Sequence, residues 1–89
     1  MTLQFINDYI EQKINENEEY IRITFYDLRV KHNLSEEDTA KFLTLVKTRL
    51  ENMGYKVYLV DDRYEYHQAL RRVQINELLV AIKDSLINE

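Results

Sequence analysis

The stretch from Ser35 to Gly54 marks both ends of one helix, and the rest of the chain has to pack around it. Ser35 followed by Glu36, Glu37 and Asp38 sets a short hydroxyl at the N-cap with an acid three residues on, the capping-box pattern. Those acids also complement the positive end of the helix dipole. Thr39, Leu43, Val46, Leu50 and Met53 then recur at helical spacing as the buried face. Gly54, the only glycine in the chain, stands where a helix needs a left-handed residue to stop. The spacing predicts a helix over 36–53.

The segments around it read as further short elements. Leu3, Ile6, Ile10 and Ile14 predict a helix over 2–16 with Thr2 as N-cap, and Phe5 and Tyr9 widen its apolar stripe. Tyr20, Ile21, Ile23 and Phe25, with Arg22 and Thr24 between, alternate as a strand does. Asp27 can open a brief helix from Leu28 to Lys31, which ends near His32 and Asn33. Tyr55–Val60 and Tyr64–Leu70 are strand-like segments separated by Asp61, Asp62 and Arg63, a polar hairpin turn. Ile75, Leu78, Leu79, Ile82 and Leu86 share one face of a helix expected over 73–87, with Val80 and Ile87 off that face.

At 89 residues the chain is expected to form one domain, 1–89, with one core. The absence of cysteine excludes a disulfide framework and suits a reducing cytoplasm. No apolar run approaches the roughly 20 residues of a membrane span, so a soluble cytoplasmic protein is expected. The net charge is −4, but it is unevenly spread. Residues 1–20 hold five acids and one lysine, and residues 74–89 hold three acids and one lysine. Residues 21–73 hold ten Lys/Arg against eight Asp/Glu. The middle is mildly basic, which permits a nucleic-acid partner without requiring one.

From Thr24 to Tyr58 the chain reads strand, brief helix, the tight turn Asn33-Leu34-Ser35, a longer capped helix, then Met53-Gly54-Tyr55 and an aromatic strand. Over residues 20–70 this resembles winged helix-turn-helix domains. Leu28, Leu34, Leu43, Leu50 and Gly54 fall where that family places its packing residues. The resemblance implies an α+β fold in the order helix, strand, helix, helix, strand, strand, helix, with a small antiparallel sheet. The hairpin over 55–70 would pair with the strand at 20–25.

What the resemblance implies about function is double-stranded DNA binding by a small transcriptional or replication regulator, in size and style like a phage or prophage protein. The helix 36–53 would enter the major groove, with Lys41, Thr44, Thr48 and Asn52 towards the bases. Arg29, Lys31, Lys47 and Arg49 would meet phosphates, and Lys56 and Arg63 on the wing would reach the adjacent backbone. Such a face is also what any soluble helix exposes, and a fold does not fix a function. The alternative is a protein-protein interaction module on the same scaffold without DNA binding. A third reading is an inhibitor that mimics DNA with its acidic terminal helices.

Other chemistries find little support. His32 and His67 lie far apart with no ligand spacing, so no metal is expected. Asp61 and Asp62 fit a turn. With one glycine there is no phosphate-binding loop, and no nucleophile motif appears, so neither an enzyme nor a cofactor is expected. Tyr55, Tyr58, Tyr64 and Tyr66 are read as cross-strand pairs of the hairpin. Phe5 and Tyr9 on the first helix, with Val80 and Ile87 on the last, are surplus to one core. They are therefore expected to join a homodimer, since monomers rarely leave such patches exposed.

Overall fold

The computed structural model describes residues 2–59 and 77–87, without the side chain of Ile87. The first helix, α1, spans Leu3–Glu16, and the Thr2 hydroxyl accepts from the Phe5 N–H at 3.1 Å as its cap. Ile6, Tyr9 and Ile10 turn inward. Strand β1, Tyr20–Thr24, buries Ile21 and Ile23 and leaves the alternate positions half-covered, the period of two expected of it.

The brief helix after β1 is wound differently from the expectation. Tyr26–Lys31 is a π-helix, in which His32 N–H reaches back to the Asp27 carbonyl at 3.1 Å. Its winding directs Leu28 fully into the core. Asn33 then takes the left-handed conformation expected of it, with φ 53°. The long helix, α2, spans Glu36–Asn52, and the Ser35 hydroxyl accepts from the Asp38 N–H at 3.0 Å. Gly54, at φ 95°, ends it. The buried face of α2 is Thr39, Phe42, Val46 and Leu50, with Leu43 half-buried, whereas Met53 is exposed.

Two antiparallel strands follow, β2 at Tyr55–Leu59 and β3 at Glu77–Lys83, and a single helical turn, α3, at Asp84–Ile87 closes the described chain. The expected C-terminal helix over 73–87 is thus corrected. Of the described residues in that range, 77–83 form a strand and 84–87 are helical. The element order consequently differs from the one the resemblance implied. The expected strand at 64–70 lies outside the described residues. The physical reason is the position of β3 in the sheet, whose order is β1-β3-β2. Ala81 pairs with both Ile21 and Val57, and Ile82 with both Tyr20 and Lys56. A central strand covered on both faces carries a continuous apolar run instead of an alternation. Leu78 through Ile82 is such a run, and over so few residues it also satisfies helical spacing.

One face of the sheet packs under the helices. Ile21, Ile23, Tyr55, Val57, Leu79 and Ala81 meet Ile6, Ile10, Leu28, Phe42, Val46 and Leu50 in the main core. On the other face Tyr58, Val80 and Ile82 form a second buried cluster, with Tyr20 against it. The ends of the sheet are tied to the turn after α1. Tyr55 Oη donates to the Glu18 carbonyl, and the Lys83 ammonium meets the Glu18 carboxylate at 2.6 Å. That ammonium holds the Glu18 carboxyl below its ordinary pKa, and the carboxylate raises Lys83 in turn. No described helix is long and apolar enough to cross a membrane.

Candidate nucleic-acid interface

Because α2 buries the stripe through Phe42, Val46 and Leu50, the residues about half a turn away stand clear of the core. These are Glu37, Lys41, Thr44, Leu45, Thr48 and Asn52, all exposed. Thr44 and Thr48 are not idle surface hydroxyls. Each donates to the carbonyl four residues back, to Ala40 at 3.1 Å and to Thr44 at 3.2 Å. Their oxygens keep acceptor capacity. Lys41 lies 3.2 Å from Glu37, one turn earlier on the same face, in a pair so exposed that a stronger anion can displace it.

The remaining cations sit around this stripe on different surfaces. Lys47 and Arg49 are half-buried on opposite flanks of α2. Arg49 lies on the α1 side, where Asn7, Ile10, Ile14 and Met53 line with it a groove of about 310 Å³. Arg29 and Lys31 belong to the π-helix, Arg29 lying over the Phe25 ring at 5.4 Å and Lys31 within 4.0 Å of Asp27. Lys56 lies on the sheet face opposite the helices, 6.0 Å from the Tyr58 ring, so it does not join the α2 face. Arg63 and His67 lie outside the described residues. Lys41, Thr44, Thr48 and Asn52 therefore share one stripe, while the expected phosphate contacts are spread around it.

The expected dimer contacts are placed otherwise than the sequence suggested. Tyr9 and Val80 are buried within their own chain, and Phe5 packs against the main core. Val80 is covered because it belongs to the central strand. Phe5 and Tyr9 are covered because α1 turns them onto the junction of the π-helix and α2. There the ring centroids of Tyr9 and Phe42 stand 5.0 Å apart, edge to face, and those of Phe5 and Phe42 5.7 Å apart. His32 adds its ring edge-on, 5.3 Å from Phe5 and 5.8 Å from Tyr9.

This aromatic junction is the feature that sequence reasoning missed. The Tyr9 hydroxyl donates to Asp27, which with Thr24 orders the start of the π-helix. Burial, chiefly, and then Asp27 push the Tyr9 hydroxyl above its ordinary pKa of 10.0. The available signal was the four-residue spacing of Phe5 and Tyr9, which is a core spacing as much as a surface one. Arg22 reaches the buried Glu77 at 3.6 Å across the β1–β3 pair. Among the described residues no group of three His, Cys, Asp or Glu is placed to hold a metal ion. Compared with known proteins, the chain matches no family model, no curated protein and no solved structure.

Proposed function

We propose that this protein is a DNA-binding winged-helix domain that reads double-stranded DNA with the outer stripe of α2, in the manner of a small transcriptional or replication regulator. The observation that carries the reading is that stripe itself. Lys41, Thr44, Thr48 and Asn52 are exposed in line on a 17-residue helix whose opposite side is locked into the core. At about 1.5 Å per residue the line runs roughly 16 Å, a length that fits along a major groove about 12 Å wide. Further support comes from the element order up to β2, with two helical segments separated by a turn at Asn33, and from an antiparallel return strand beside β1. Lys47 and Arg49 flank the stripe and would take the phosphates.

One observation favours the rival reading, a protein-interaction module without DNA binding. The first turn of α2 holds Glu36, Glu37 and Asp38, and Glu37 already engages Lys41. Carboxylates at that end repel phosphates, and helix-turn-helix domains use the N-terminal part of the recognition helix for base contacts. The two readings separate in one experiment. Lys41→Glu together with Thr48→Glu should leave the fold intact and weaken duplex binding by more than about tenfold in a gel shift, by lost contact and added repulsion. No duplex binding by the unaltered chain at low salt would favour the protein-interaction module, and unchanged binding by the variant would move the interface off α2.

Homodimerisation through the first and last elements belongs to the same proposal. With Tyr9 and Val80 inside, Leu3 at 58% and Leu86 at 48% exposure are the apolar residues that support it. Sedimentation equilibrium at twice the 10.8 kDa chain mass is the expected outcome, and a monomeric mass would contradict it.

A further inference from the structure

A second surface stands beside the aromatic junction. The π-helix and the residue before it expose Phe25, Tyr26 and Val30 at 43%, 64% and 56%. Three large apolar side chains so exposed within six positions are unusual for a soluble surface, where such residues are normally scattered singly. The winding explains their grouping. With hydrogen bonds from i to i+5, side chains four and five positions apart stack, so Phe25 aligns with Arg29 and Val30, and Tyr26 with Val30 and Lys31. Leu28 alone fills the inward side. The Arg29 guanidinium lies over the Phe25 ring, which pre-orders its fork while leaving its charge half-exposed. Short π-helical segments are rare and gather at functional sites.

We infer that this face of the π-helix docks a segment of a partner protein in which an apolar side chain stands next to carboxylates. The apolar anchor would sit on Tyr26 and Val30, and a carboxylate would take the Arg29 fork with Lys31 beside it. Charge decides between the occupants. A second copy in two-fold contact over so small a patch would bring the Arg29 and Lys31 cations of both chains together, so self-association is disfavoured. A nucleic acid would find phosphate partners in the two cations but none for Val30.

The test selects binders from a displayed library of random short peptides on the intact protein and measures the enriched peptides by fluorescence polarisation. Enriched sequences should combine aromatic or leucine residues with Asp or Glu. Tyr26→Ala with Val30→Ala should weaken them by roughly tenfold or more, the loss expected at an interface centre. Arg29→Glu should do the same and, used as the selecting protein, enrich Lys and Arg instead. These side chains lie outside the core, and an unchanged melting temperature shows that the variants fold. Peptides without acidic preference, peptides held equally by the variants, or no enriched peptide would overturn the inference. So would displacement of the peptide by duplex or single-stranded DNA, which would give Arg29 to a nucleic acid. A sedimentation mass of two chains that Tyr26→Ala reduces to one would give the surface to a second copy.

Discussion

The two faces of α2 differ in what determines them. On the inner face Phe42, Val46 and Leu50 are fully buried, and each position is set by what it touches, from the aromatic junction at Phe42 to the sheet beneath Leu50. On the outer face Lys41 pairs with Glu37 of the same helix, and the hydroxyls of Thr44 and Thr48 turn back on α2, while Asn52 is exposed. Stability is invested on one side, and freedom to meet a partner is kept on the other. On the proposed reading, a residue of the inner face is costly to change and silent in binding, and a residue of the outer face is the reverse.

The largest expected effect is on the inner side. Leu50→Ala should cost about 2–5 kcal/mol, the range for truncating a buried leucine, and for a domain this small that approaches the whole of its stability. Urea unfolding measures it, and a loss below about 1 kcal/mol would break the distinction between the two faces.

Next comes the junction that anchors the inner face. The raised pKa of Tyr9 means that the folded chain keeps the hydroxyl protonated after the unfolded chain has begun to lose its proton near pH 10. Stability is therefore complete below that pH and falls as pH rises through it, by up to about 1.4 kcal/mol per pH unit for this group. Tyr55, also raised, contributes in the same sense. Thermal melts at increasing pH should show this alkaline decline, and Tyr9→Phe should make it shallower.

A smaller effect is expected where the helix ends. Nothing lies within 4 Å of a Cβ built on Gly54, so Gly54→Ala meets no clash and is resisted by the left-handed backbone alone. The cost should be about 1–2 kcal/mol in melting experiments. The smallest belongs to the outer face, where Thr48→Ala should change stability by no more than about 0.5 kcal/mol while altering DNA affinity.

How far each feature was legible in the sequence follows the same physics. Ser35, Asn33, Thr2 and Gly54 were readable because caps and left-handed residues act locally, within a few positions of their own backbone. The segment 77–83 misled because a central strand and a buried helix share an apolar run, and only its two neighbours in space distinguish them. The π-helix was read as a short ordinary helix, since its extra winding depends on Leu28 filling the core and on Tyr9 holding Asp27. Phe42 was passed over on the inner face of α2, and Phe5 and Tyr9 were assigned to a partner. Their true neighbours come from three separate elements and leave no spacing in the sequence. Of the candidate site, the outer stripe of α2 was legible from periodicity. The placement of Lys56 on the sheet face away from α2 was not.

The proposed role of the outer face is tested most directly by titrating the protein with random-sequence duplex DNA at several salt concentrations. If Lys47 and Arg49 each meet a phosphate, affinity should fall about tenfold between roughly 50 and 200 mM salt, with about two counterions released. No binding at the lowest salt, or binding insensitive to salt, would contradict the assignment of α2 to DNA.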